Sequence, residues 1–203
     1  MTTLLSTTYF GPVQWYQKLY RSEAVEIEQW ESFQKQTYRN RCQIATTNGV
    51  QALTVPVERH NVQDIKEVRI SDHGNWRHLH WNALQSAYGE SPFFDYYQDD
   101  IRPFFEKRWT FLLDFNEDIR QIMCELIDIQ PEVGFTKAYA NHGDSPRDFR
   151  DFREGICPKH PEPDADFVPR PYYQVYQQKH GFLANLSILD LLFNMGPESI
   201  FYL

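Results

Sequence analysis

TTLLSTTYFGPVQWYQKLYRSEAVEIEQW, residues 2–30, decides the fold. TTLLSTTYF is rich in Thr and Leu and reads as a strand. Gly11-Pro12 then opens PVQWYQKLY, a helix with Pro12 near its first turn, where a missing N–H costs little. AVEIEQW reads as a second strand. Strand, short helix and strand in so short a stretch make a βαβ unit, which sets the two strands parallel and gathers ligand-facing loops at their ends.

Working outward, YRNRCQIATTNGVQALTVPV (38–57) holds two strand-like runs around Asn48-Gly49, whose residues both tolerate the positive φ of a type I′ hairpin turn. Arg39 and Arg41 then lie on one face of the first strand, because side chains two apart point the same way. The period-two alternation of IKEVRI (65–70) predicts a further strand. WRHLHWNALQSAYG (76–89) carries Trp76, His80, Ala83, Leu84, Ala87 and Tyr88 at helical spacing, which puts His80 on the apolar face and Gly89 at the C-terminal cap. A second helical stretch follows Pro92 and is broken or restarted at Pro103, and a third begins at Asn116 as its N-cap. NHGDSPRDFRDFREGICPKHPEPDADFVPRP (141–171) holds six of the twelve prolines and alternating charge without periodicity. The region 131–170 therefore reads as a long surface loop or insertion, functional or mobile as such loops are. A helix from Leu186 to Phe193, with Asn185 as its cap and Gly196-Pro197 beyond it, closes the chain. The expectation is a single α/β domain over residues 1–203. An N-terminal βαβ unit and an antiparallel hairpin form a mixed sheet, helices pack on it, and the Pro-rich loop precedes a C-terminal helix.

Charge placement points to a site. Asp and Glu number 28 among 203 residues, yet none lies between Glu31 and Glu58 or between Asp72 and Glu90. Lys35, Arg39, Arg41 and Arg77 thus lack close sequence neighbours that would neutralise them, as an anion pocket requires. A formal net charge of −8 argues against broad nucleic-acid binding. The first residues lack a cationic start and an unbroken apolar run, and no stretch reaches a membrane span, which places the chain in the cytoplasm. Three cysteines without CxxC spacing read as free thiols.

Lys35, Arg39 and Arg41 suit the phosphates of a nucleotide-sugar or an acyl phosphate, against the plainer reading of cross-sheet ion pairs. Arg77 and His80, at i and i+3, share a helix face: His80 is the candidate general base and Arg77 the anion holder, against the plainer reading of a core histidine beside Trp76. His73, His78, Cys157 and His160 match no recurrent zinc spacing, so no metal site is expected. A catalytic Cys42 is disfavoured, no G-x-S-x-G occurs, and no glycine-rich phosphate loop is present, so no cofactor is specified. Tyr96 and Tyr97 are available to stack on a sugar or base at a pocket rim.

Asn40-Arg41, the run Trp76-Arg77-x-x-His80, the Tyr-x-x-x-Pro-Phe-Phe segment from Tyr88, and NLSILDLL near the end together resemble the WbqC-like protein family. The chain departs from that pattern at Thr7-Thr8, where Gln-Pro is usual, and at Gln29-Trp30, where an acidic pair is usual. The resemblance implies a place among O-antigen and surface-polysaccharide proteins, with transfer of glycine to a sugar as an activity of some members. It adds Asn40 and Trp76 to Lys35, Arg39, Arg41, Arg77 and His80 as candidate site residues. The expectation is a transferase modifying a nucleotide- or lipid-linked sugar, with an amino-acyl (glycyl) group as the candidate modification. Its partner is then a small phosphorylated sugar or nucleotide, without nucleic acid or membrane span. The alternative is a non-catalytic binding or scaffold protein of a polysaccharide assembly complex.

Overall fold

A computed structural model describes residues 2–58, 64–141 and 149–203. The opening stretch is a βαβ unit in the order expected: β1 (Thr2–Ser6), α1 (Val13–Arg21) and β2 (Ala24–Glu28), with β1 and β2 parallel in the register Thr2↔Ala24 to Ser6↔Glu28. Leu4 and Leu5 point to opposite faces of β1 and both are buried, as a parallel strand covered on two sides demands. Trp15, Tyr16 and Leu19 of α1 are buried as well.

The hairpin is β3 (Arg41–Thr46) and β4 (Gly49–Thr54), antiparallel, and forms a two-stranded sheet of its own rather than widening the parallel one. Its turn falls on Thr47-Asn48, one residue earlier than the sequence reading. Asn48 keeps a negative φ and Gly49 alone takes the positive one, at 101°, as in a type I turn followed by glycine. Because β3 starts at Arg41, Arg39 precedes the strand and the two arginines do not share a strand face. IKEVRI is not a strand: Ile65–Glu67 form a 3-10 turn, and only Arg69 and Ile70 make isolated bridges, to Phe111 and Val57. Ile65 and Val68, three apart, are both buried, and this spacing competes with the period-two pattern.

The helical half runs α2 (Trp76–Tyr88), α3 (Phe94–Ile101), α4 (Pro103–Glu106) and α5 (Leu112–Leu126). Pro103 separates α3 from α4 as predicted. Because α5 begins at Leu112, Asn116 lies inside it and is not its cap; the buried Asn116 amide donates to the Arg39 carbonyl at 2.8 Å.

The stretch 131–170 is not peripheral. It supplies β5 (Val133–Phe135) and β6 (Arg150–Asp151), parallel edge strands that complete the order β5-β2-β1-β6. Residues 142–148 of that stretch lie outside the described residues. The chain ends with α6 (Gln177–His180), α7 (Ile188–Met195) and a 3-10 segment, Gly196–Tyr202. Ser187, not Asn185, caps α7, its Oγ accepting from the Leu189 amide at 3.3 Å. Asn185, at φ 55°, caps α1 instead, accepting from the Gln14 amide at 2.9 Å. Among the described residues no helix is long and apolar enough to cross a membrane.

Candidate functional site

The C-terminal ends of parallel strands are where α/β sheets place ligands, because the strand-end loops diverge there. Here those ends carry charge. β1 ends on Ser6 and β2 on Glu28, β6 ends on Asp151, and all three meet the chain on either side of Glu31 and Arg153.

Two arginine–carboxylate units stand side by side. Arg39 grips Glu31 with both forks, Nε to Oε1 at 2.8 Å and Nη2 to Oε2 at 2.5 Å, and also donates to Ser6 Oγ at 2.8 Å. Ser6 Oγ in turn donates to Glu31 Oε2 at 3.0 Å. Arg153 holds Asp151 through Nη2 at 2.7 Å, reaches Glu28 Oε2 through Nη1 at 3.2 Å, and donates to the Ala140 carbonyl at 2.8 Å. The other oxygen of Glu28 accepts from the Trp30 amide at 2.9 Å and from Thr136 Oγ1 at 2.7 Å. Glu28, Glu31, Arg39 and Arg153 are all at most 5% exposed. Charges removed from water this far persist only when paired and hydrogen-bonded, and here each is. Burial raises the Glu31 carboxyl above its ordinary range against the pull of Arg39 and Ser6. Burial alone would lower Arg153, but its bonds to Asp151 and the charges of Tyr139 and Glu28 carry it up.

Over this cluster opens a cavity of about 600 Å³, lined by Trp30, Glu31, Ser32, Gln34, Asp64, Tyr139, Arg153 and Glu154. Three carboxylates face one guanidinium, so the lining favours hydroxyl and amino groups over phosphate. The Trp30 indole is fixed by its N–H to the Thr136 carbonyl at 3.0 Å and by the Lys66 ammonium over the ring. Tyr139 packs beside Arg153, 5.0 Å from ring centroid to guanidinium carbon. Among the described residues no group of three or more His, Cys, Asp or Glu side chains is arranged to hold a metal ion.

The candidate residues from the sequence are dispersed. Arg39 belongs to the cluster just described, as an orienting partner of Glu31. Lys35 is exposed. Asn40 is buried and donates to the Val55 carbonyl at 2.7 Å, while Arg41 donates to Thr54 Oγ1 at 3.0 Å. His80 and Trp76 sit together in an aromatic core with Tyr9 and Phe115. His80 is 6% exposed, its Nδ1 lies 2.8 Å from the Tyr9 hydroxyl, and burial lowers its pKa to about 4. Arg77 lines a different cavity, near Asp72 and Arg108. The hairpin and α2 do meet, for the Tyr88 hydroxyl accepts from the Ala45 amide at 3.3 Å, but they meet through packed core rather than around an opening. Tyr97 is buried and Tyr96 exposed, neither on the carboxylate-lined cavity. The first strand–helix turn is wholly buried from Thr7 to Leu19, with Asn185 and Ser187 packed on it.

Sequence reasoning missed Ser6, Glu28, Glu31, Tyr139, Arg153 and Glu154. One signal was available: Glu28 is an acid at the C-terminal end of a strand predicted to be parallel, hence covered on both faces. The usual acidic pair is absent at Gln29-Trp30, but Glu28 and Glu31 flank that position on either side.

This is an α/β domain with a carboxylate–arginine cluster at its strand ends, and the WbqC-like protein family profile matches residues 7–157, so the chain belongs to that family. It is also similar to an uncharacterized protein of Mycobacterium tuberculosis, 30% identical over a 197-position alignment that covers 84% of this chain and 83% of that one. No solved structure gives a significant match.

Proposed function

We propose that the chain is a transferase of surface-polysaccharide biosynthesis. It binds a nucleotide- or lipid-linked sugar as acceptor in the Trp30–Tyr139–Arg153 cavity and joins an amino-acyl group, glycyl in the simplest case, to an amine or hydroxyl of that sugar. The observation that carries this reading is the cavity of about 600 Å³ at the parallel strand ends, acid-rich with two aromatic rings on its walls. Aromatic faces and carboxylates are the groups that recognise a sugar's apolar face and its hydroxyl or amino edge.

Glu31 is the proposed base. Arg39 and Ser6 between them occupy both acceptor sites of Oε2, while Oε1 accepts only from Arg39 Nε and keeps a lone pair for a ligand. Burial makes it more basic than a surface carboxylate. The acceptor's proton passes to Glu31 as the acceptor nitrogen or oxygen bonds to the carbonyl carbon of an activated amino-acyl ester. Glu31 returns that proton to the departing alcohol, and the enzyme is restored. The ligand's phosphates project out of an acid-rich cavity of this kind.

The second reading, a binding or scaffold protein, rests on the internal satisfaction of the cluster before any ligand arrives. One experiment separates them: thermal melting with UDP-glucosamine, then mass spectrometry of the same sugar incubated with a glycyl ester. At a hundredfold excess over Kd the ligand contributes about 2.7 kcal/mol, or roughly 5–10 °C in Tm for a chain of this length. The transferase reading expects that rise and a glycylated sugar, with product lost in Glu31→Gln. A rise without product supports the scaffold, and no rise with this or other nucleotide sugars overturns both.

A further inference from the structure

A second cavity, of about 360 Å³, opens where α2 begins. Arg77, Arg102, Arg108 and His78 line it against only two carboxylates, Asp72 and Glu106, in a chain whose net charge is −8. We infer that this cavity binds a phosphoryl group.

One carboxylate serves two guanidinium groups here: Arg77 Nη1 donates to Asp72 Oδ1 at 2.7 Å, and Arg108 Nη1 lies 3.6 Å from Asp72 Oδ2. Arg102 pairs with Glu106 at 2.6 Å on the rim. The Arg77 guanidinium carbon sits 4.7 Å from the Trp76 ring. Its Nε and Nη2 are shielded from solvent and have no hydrogen-bond partner among the described residues. Donors so placed are costly to leave unmade, and an oxyanion arriving beside them supplies acceptors after a small rotation of the fork. The helix adds to this. α2 is thirteen residues long, no side chain caps its N-terminus, and no acid lies in its first turn, so nothing within the helix counters the positive end of its dipole. A phosphoryl group fits the set, with several acceptor oxygens and up to two negative charges for planar forks that take acceptors in pairs. Trp81 and Phe105 form apolar walls that strengthen such contacts by excluding water. No residue lines both this cavity and the carboxylate-lined one, so the inference stands apart from the transferase reading.

The test is calorimetric titration of the full chain with inorganic phosphate at low ionic strength, with chloride at matched ionic strength as the control. Saturable binding is expected. Arg108→Ala, whose side chain is 84% exposed, should keep its Tm and weaken phosphate about threefold. Arg77→Gln should weaken it about tenfold or more. Should Arg77→Gln fail to fold, the double variant Arg102→Ala/Arg108→Ala carries the same expectation from surface positions. Trp30→Ala, confined to the other cavity, should leave phosphate binding unchanged. UDP as titrant distinguishes the sources: tighter binding than phosphate, lost in the same variants, assigns a nucleotide, and equal binding assigns the free anion. Absent phosphate binding, or binding undiminished in the arginine variants, overturns the inference.

Discussion

Arg39→Met removes one half of the most tightly knit charge pair in the cluster. Arg39 is 3% exposed and its two bonds to Glu31 measure 2.8 and 2.5 Å, so the variant leaves a carboxylate buried with only Ser6 to answer it. Breaking a buried pair from one side costs about 3–5 kcal/mol. At about 2–4 °C per kcal/mol for a chain of this length, Tm falls by roughly 6–20 °C. The cost depends on pH. Burial already lifts the Glu31 carboxyl, and Arg39 is the main group pulling it back. Without Arg39 the folded-state pKa rises further above the unfolded value, so the native state keeps a proton that the unfolded chain releases. The penalty is therefore smallest below the ordinary carboxylate pKa and grows as pH rises through the folded value. Urea unfolding followed by tryptophan fluorescence at several pH values measures this directly. Arg39→Met/Glu31→Leu should recover most of the loss, because an apolar pair carries no desolvation cost. A single variant that loses under about 1 kcal/mol, a cost independent of pH, or a double variant as unstable as the sum of its parts would show that Arg39 and Glu31 do not act as a buried, coupled pair.

His80→Ala should behave as a core truncation, losing about 2–4 kcal/mol as the packing around Tyr9 and Trp76 opens and the Tyr9 hydroxyl loses its partner; an unchanged denaturation midpoint would contradict this. In the wild type, burial of neutral His80 favours folding above the imidazole's ordinary pKa of 6.5, and stability falls as pH drops through about 4. The gap is worth about 3 kcal/mol and should vanish from the stability–pH profile of a His80→Gln variant. Asn185→Ala should cost about 1 kcal/mol through the lost cap on α1, and Asn185→Gly less, because glycine suits φ 55°; an Asn185→Gly variant that melts like the wild type would show the cap to be idle. Gly196 has φ 54°, and a Cβ there would stand 2.5 Å from the Phe93 ring, so Gly196→Ala should destabilise by about 2 kcal/mol or more, a loss that thermal melting would register at once.

Local signals carried the architecture further than they carried the site. Pro12, the Thr-rich first strand and the short amphipathic PVQWYQKLY act within a few residues of one another, and the parallel pair followed from them. The hairpin slipped by one residue because Asn48 and Gly49 both tolerate positive φ, and only the register Thr46↔Gly49 decides which one adopts it. IKEVRI alternates like a strand, but Ile65 and Val68 are also three apart, and packing against α5 selected the turn. The cluster was hidden for a different reason. Arg39 and Glu31 are eight residues apart, and Arg153 and Glu28 are separated by 125. Such a pairing leaves no period in the chain and arises only once β6 docks on β1. The acid-free stretches did not leave their cations unpaired: Arg39 drew its partner from Glu31 and Arg77 from Asp72, in each case the acid that bounds the stretch.

A ligand that enters over the strand-end cluster covers the backbone of the loops around it. Amide hydrogen exchange of the protein with and without UDP-glucosamine tests it most directly. Slowed exchange is expected in the segments around Trp30 to Gln34, Thr136 to Ala140 and Asp151 to Glu154, and its loss there is expected in Trp30→Ala. Protection centred instead on the Thr8 to Trp15 turn or on the β3–β4 hairpin, or no protection at saturating sugar, would contradict it.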